Sequence, residues 1–137
     1  MEDVQQDRPV LHVDLGDHTV PVAALGAGLH GVLRLAIDLS ALPAGIALVE
    51  EPEAHQHPAA VRQTAIALLS AARRGVQVIV STHSLELIDS VLDEAGEADL
   101  NSMAIYRVVL DRGTLRSSRF SGAMCITARR SMDEDVR

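Results

Sequence analysis

The stretch Gly45-Ile46-Ala47-Leu48-Val49-Glu50-Glu51-Pro52-Glu53-Ala54-His55-Gln56-His57-Pro58 decides the fold. Apolar residues 46–49 run straight into a segment of acids, histidines and prolines. An apolar run bounded by Gly45 and Pro52 predicts a strand buried on both faces, the usual state of a parallel-sheet strand. Its last residues then set carboxylates at the carboxyl end of that strand, where open α/β sheets bind their ligands. Pro52 stops further pairing, and Pro58 suits the first turn of a following helix. The plainer alternative is a strand, a wet loop and a helix, with acids that carry no chemistry.

Two further stretches bear on the choice. Val76-Gln77-Val78-Ile79-Val80-Ser81-Thr82-His83-Ser84 is a second short apolar strand, ending in small polar residues and a histidine. Leu25-Gly26-Ala27-Gly28-Leu29-His30-Gly31 is a glycine-rich turn. It opens a helix over Val32–Leu39 whose apolar positions wrap most of the circumference, which argues for burial between layers. Free amides and the positive end of a helix dipole attract anions at such a turn, and glycine lets a backbone come close. Taken alone, the same residues are a tight turn before a buried helix.

In this order the three stretches resemble the C-terminal half of an ABC-type ATPase domain. They look most like the overcoming-lysogenization-defect and related recombination and defence AAA ATPases, over Pro21 to Gly113. The resemblance implies an α/β fold: a partial P-loop NTPase three-layer sandwich with a mostly parallel sheet and a C-terminal β-hairpin. It also implies that Glu50 is the Walker B acid supporting Mg²⁺, and Glu51 the base that polarises the attacking water. His83 becomes the switch histidine touching the γ-phosphate, and Gly26-Ala27-Gly28 the signature turn facing ATP held by another subunit. The chemistry suits the residue types. Mg²⁺ prefers hard oxygen ligands, a base must reach the water's proton, and an imidazole can donate to phosphate oxygen. Ser84 also reads as a helix N-cap, a role compatible with the histidine's. Three departures stand out. Glu50 is longer than the aspartate common in the wider superfamily. Gly26 or Ala27 replaces the usual signature serine. Gln56 takes the place of leucine in the D-loop segment His55-Gln56-His57, which is expected to weaken packing there.

Composition limits what the chain can do. Its 137 residues, 47% hydrophobic, make one domain or less. The net charge is −7 and the only aromatics are Tyr106 and Phe120, so neither a basic footprint nor a base-stacking platform is expected. Arg73-Arg74 and Arg129-Arg130 read as solvated helix or tail charges. The longest candidate membrane stretch, 32–48, is broken by Arg34, Asp38, Pro43 and Gly45. No signal-peptide pattern opens the sequence. Cys125 is the only cysteine, which excludes an intrachain disulfide and fits a reducing cytosol. The expectation is a cytoplasmic protein with no membrane segment and no direct nucleic-acid binding.

All twelve basic residues are arginine, and no lysine is present. The P-loop pattern Gly-x-x-x-x-Gly-Lys-Ser/Thr, whose lysine reaches the β and γ phosphates, is therefore absent. The implied cofactors, ATP and Mg²⁺, need a cradle from a P-loop-containing half or subunit, on another polypeptide or lost with a gene fragment. Homo- or heterodimerisation through signature and D-loop follows from the resemblance. The expected function is an ATP-binding and ATP-hydrolysis domain fragment, inactive alone, whose missing half leaves an apolar sheet edge or face bare. Two other classes compete: a non-catalytic interaction module, and a metal-dependent hydrolase. Glu50, Glu51, Glu53, His55, His57 and His83 supply enough ligands for zinc or two metals, though in no helical His-Glu-x-x-His spacing.

The remaining chain reads more simply. Residues 10–15 and 18–23 predict a short hairpin about Gly16-Asp17, with His12 and His18 on the surface. Pro58–Arg74 predicts a helix with Val61, Ala65, Leu68, Leu69 and Ala72 inward, stopped by Gly75. A helix over 85–92 buries Leu85, Ile88 and Leu92, and 93–97 is an acidic turn. Segments 103–110 and 114–119 flank a hairpin signal, Asp111-Arg112-Gly113. Residues 1–8 read as frayed. The domain is expected over 1–120, with 121–137 a polar C-terminal tail, disordered from 131.

Overall fold

The computed structural model describes residues 10–14 and 16–131, without the side chains of Arg130 and Ser131. The expectations for residues 1–8 and 132–137 lie outside the described residues. Strands β1 (His12–Asp14) and β2 (Thr19–Pro21) form the expected antiparallel hairpin. Helix α1 (Ala27–Ala41) leads into β3 (Gly45–Glu50), α2 (Pro58–Arg73) and β4 (Val76–Ser81). Helices α3 (Leu85–Glu94) and α4 (Glu97–Ser102) follow, then the hairpin β5 (Ala104–Asp111) and β6 (Thr114–Ser121), and α5 (Gly122–Ser131).

β3 and β4 pair in parallel and in full register from Gly45↔Val76 to Glu50↔Ser81, joined by α2 as one βαβ unit. The α2 helix starts on Pro58 at N1, with His57 Nδ1 accepting from the Ala59 N–H at 3.3 Å. It ends at Gly75, whose φ of +92° is open only to glycine at no steric cost. One core gathers Leu39, Ala47, Val61, Ala65, Leu68, Ala71, Val76 and Leu87, so α1, α2 and α3 all pack on the same side of the strands. Ala71 and Thr64 face inward, whereas Ala72, expected there, is exposed.

The strands are not buried on both faces as predicted. Strand side chains alternate: Ala47, Val49, Val78 and Val80 face the helices, while Ile46, Leu48 and Ile79 stand 61%, 77% and 49% exposed. Nor is the sheet mostly parallel. The described residues form three separate two-stranded sheets, one parallel and two antiparallel. Among them the βαβ unit is helix on sheet, two layers rather than three.

The second core lies toward the C-terminal side and joins Ile88 and Leu92 of α3 to Cys125 and Ala128 of α5, with Met103, Ile105 and Phe120 against it. Helix α5 falls where the sequence predicts the start of a polar tail. Its inward residues, Cys125 and Ala128, are too small to mark an apolar stripe in sequence. It is clamped by Arg129, whose Nε and Nη2 donate to both Asp89 oxygens at 2.8 Å. Of the expected acidic turn at 93–97, Asp93 and Glu94 end α3 and Glu97 opens α4, a helix the sequence reading lacks. Arg73 holds α4, donating to both Asp99 oxygens at 2.7–3.3 Å. Arg129 is therefore a largely buried tertiary clamp, and Arg73 an exposed one that is ion-paired to another element rather than free in solvent. The β5–β6 turn, Arg112-Gly113, has φ of +47° and +82°, the signature of a two-residue type I′ loop.

Candidate functional site

At the carboxyl ends of β3 and β4 the two polar loops leave the pair side by side. Glu51 still donates its N–H to the Ser81 carbonyl at 2.9 Å, one step beyond the Glu50↔Ser81 register. Its φ of +40° then turns the chain out of the sheet, and Pro52 has no donor to continue the ladder. A non-glycine residue in this region stores strain of order ~1–3 kcal/mol, a cost that concentrates at functional sites. His55 is left-handed as well, at φ +62°.

This turn brings Glu51 Oε1 to 2.9 Å from His83 Nδ1, across 32 residues of sequence. The two side chains are 49% and 77% exposed, so they meet in the open at the strand tips. Glu50 points with Ile46 and Leu48 onto the bare sheet face by the strand's alternation and is exposed.

The loop behind this pair is densely tied. Ala54 N–H bonds Glu51 O, and Gln56 N–H bonds Glu53 O, both at 3.0 Å. Gln56 Nε2 donates to the Pro52 carbonyl at 2.5 Å, and Gln56 Oε1 accepts from Thr64 Oγ1 at 2.8 Å. Thr64 is the one buried polar residue among those described, and Gln56 satisfies it. The expectation that glutamine weakens packing here is therefore corrected: it anchors the loop to α2. Thr82 Oγ1 donates to Glu53 Oε1 and accepts from the Ser84 N–H, and Ser84 Oγ caps α3 by accepting from Leu87 N–H. The Glu53–Thr82 and Gln56–Thr64 links are absent from the sequence reading. Their sole sequence signal is that Glu53 completes Glu-Glu-Pro-Glu and Thr82 follows the second strand.

Gly26 is the N-cap of α1, with Ala27 and Gly28 in its first turn. Gly28 abuts the loop itself: a Cβ there would lie 2.7 Å from His55 O and 3.1 Å from Gln56 Cα. The glycine turn thus packs on residues 55–56, further along the same loop than Glu51.

The metal-ligand set of the hydrolase reading does not converge. Glu53 is turned to Thr82, His57 to the α2 amide and His83 to Glu51. Among the described residues no three His, Cys, Asp or Glu gather to hold an ion. Mg²⁺, by contrast, commonly takes only one or two carboxylates and completes its shell with phosphate oxygens and water, a donor set that an exposed Glu50 fits. No helix among the described residues is long and apolar enough to cross a membrane.

Residues 3–89, more than half of the chain, match the model of the family described as "AAA domain, putative AbiEii toxin, Type IV TA system". The match spans the glycine turn, the Glu-Glu-Pro-Glu loop and His83. The chain is also 35% identical over 83 residues to "Uncharacterized protein MJECL11" of Methanocaldococcus jannaschii, covering 60% of this chain and 73% of that protein. In structure it is similar to a chain solved in work on "ATP-driven dimerization and DNA stimulated activation of SMC ATPases". The TM-score is 0.58 at 16% identity, over 88% of this chain and 69% of that one, a likeness of fold.

Proposed function

This chain belongs to the AAA-domain family described as a putative AbiEii toxin of type IV toxin–antitoxin systems, and from that premise we propose that it contributes one side of a composite ATP site. Glu51 acts as the base that orients the attacking water, His83 contacts the γ-phosphate, and Glu50 supports Mg²⁺. Gly26-Ala27-Gly28 offers helix-terminal amides to nucleotide held by another subunit. The observation that carries this reading is the Glu51–His83 contact at 2.9 Å, made at the tips of parallel strands in register.

Charge supports the need for a partner. Glu50, Glu51 and Glu53 crowd one loop and the sequence holds no lysine, so a triphosphate approaching these carboxylates is repelled unless a cation intervenes. Bound Mg²⁺ supplies part of that charge, and a P-loop from another segment or chain supplies the rest. The position of Gly28 fits action across a dimer, since its helix packs on the far part of the loop.

The test is phosphate release from Mg·ATP. The 137-residue chain alone is expected to show negligible hydrolysis. Adding a P-loop-bearing partner should raise it, and Glu51→Gln should abolish the gain. Steady hydrolysis by the pure chain, lost in Glu51→Gln, would refute the composite arrangement. The bare sheet face favours one second reading, a non-catalytic interaction module; that reading survives if the partnered complex forms but binds no nucleotide.

A further inference from the structure

We propose that Glu53 and Thr82 are positioning residues that brace Glu51 against His83, an inference that rests on the role given to that pair above. Neither functional side chain is held by packing, since each is about half exposed or more. The backbone tie between the two loops is the Glu51 N–H···O Ser81 bond, and it ends there because Glu51 turns left-handed and proline follows.

Beyond that point the Thr82 hydroxyl takes over. It accepts from the Ser84 N–H at 2.9 Å, so its single proton goes to the Glu53 carboxylate. Each functional residue is thereby pinned on both sides. Glu51 lies between the Ser81 bond and Glu53, and His83 lies between Thr82 and Ser84, both of which share one hydroxyl. The arrangement has a cost that stability alone does not explain. Glu53 Oε2 is buried with no partner among the described residues, and an unsatisfied buried carboxylate oxygen is unfavourable. An apolar side chain there would avoid that cost and lose the brace.

The test reads the His83 ring in the full 137-residue chain, labelled with ¹⁵N-histidine and observed by NMR at one fixed pH, with His83→Gln assigning the signal. Glu51→Gln is expected to move the His83 Nδ1 resonance, because its charged acceptor is gone. Thr82→Val, which keeps the shape but removes the hydroxyl, should reproduce half or more of that movement. Thr82→Ser should hold the wild-type position. A purely structural brace would lower the unfolding midpoint of Thr82→Val and leave the ring signal in place. That result, with Glu51→Gln still moving the signal, overturns the brace and spares the pair. No movement in Glu51→Gln overturns the pair and the brace with it. Should Thr82→Val not fold, Glu53→Ala reads the other end of the same link.

Discussion

At Gly28 a single methyl group would meet the carbonyl oxygen of His55 at 2.7 Å, with the Gln56 Cα at 3.1 Å behind it. Both neighbours are backbone, so neither can swing aside. Alanine gains up to ~1 kcal/mol over glycine in a helix, but overpacking costs ~1–3 kcal/mol. We expect Gly28→Ala to destabilise the protein. Gly31, whose nearest neighbour is the Gln56 amide at 3.9 Å, should gain ~0.5–1 kcal/mol as alanine. Denaturant midpoints of the two variants moving in opposite directions would confirm that the glycine turn is built around the loop. Gln56 gives a second test on the same loop. Gln56→Leu strips Thr64, fully buried, of its acceptor and should cost ~1–3 kcal/mol. Adding Thr64→Val should recover part of that loss, since removing both partners is far less costly than removing one. A thermal-melt double-mutant cycle with no recovery would show that the hydrogen bond is not what glutamine supplies.

Among the elements, α4 depends on charge more than on its own sequence. It is six residues long with none buried, too short to be stable by itself. The Arg73 guanidinium donates to Asp99, and the Gly96 N–H adds a bond at 2.8 Å; together they hold the Asp99 carboxyl below its ordinary range. Because the folded value is depressed, this stabilisation is present above the unfolded carboxylate range and is lost as pH falls through the folded value. Asp99→Asn should lower stability at neutral pH and flatten its decline in acid, read from chemical unfolding across the acid range. An unchanged acid limb would show that the pair contributes nothing. Helix α4 also marks a limit of what the sequence shows. The βαβ unit shows itself through short continuous apolar runs for its strands and a 3.6-residue apolar period for its helix, so β3, α2 and β4 fall within a residue or two of expectation. The strand tips were legible because Glu51 and His83 end apolar runs. Helices α4 and α5 carry no such period: one is held by Arg73, the other by Arg129 and the small residues Cys125 and Ala128. Links that cross from one element or loop to another leave no local pattern, which is also why Glu53–Thr82 and Gln56–Thr64 emerge only from the fold.

For the whole molecule, the decisive feature is the uncovered side of the β3–β4 pair. Ile46, Leu48 and Ile79 give a sequence pattern that suits burial on both faces, yet helices cover one face alone. Both outer edges of the two-stranded sheet also lack a strand partner among the described residues. An apolar face beside unpaired edges drives association or aggregation. In the proposed composite site this face is covered by the P-loop-bearing partner, and the 137-residue chain alone should self-associate. Replacing Ile46, Leu48 and Ile79 together by threonine puts a strand-compatible β-branched side chain at all three positions while removing exposed apolar surface. Substitutions at exposed positions usually change stability by no more than ~0.5 kcal/mol each, so the triple variant should unfold near the wild-type midpoint. Sedimentation velocity over a concentration series should show it more monomeric than the parent chain. Equal self-association in both proteins would place the sticky surface elsewhere, with the exposed Tyr106, Val108, Leu110 and Leu115 of the β5–β6 hairpin the next to be exchanged. Loss of folding in the triple variant would mean instead that these side chains already stabilise the chain, and that the face is not waiting for a partner.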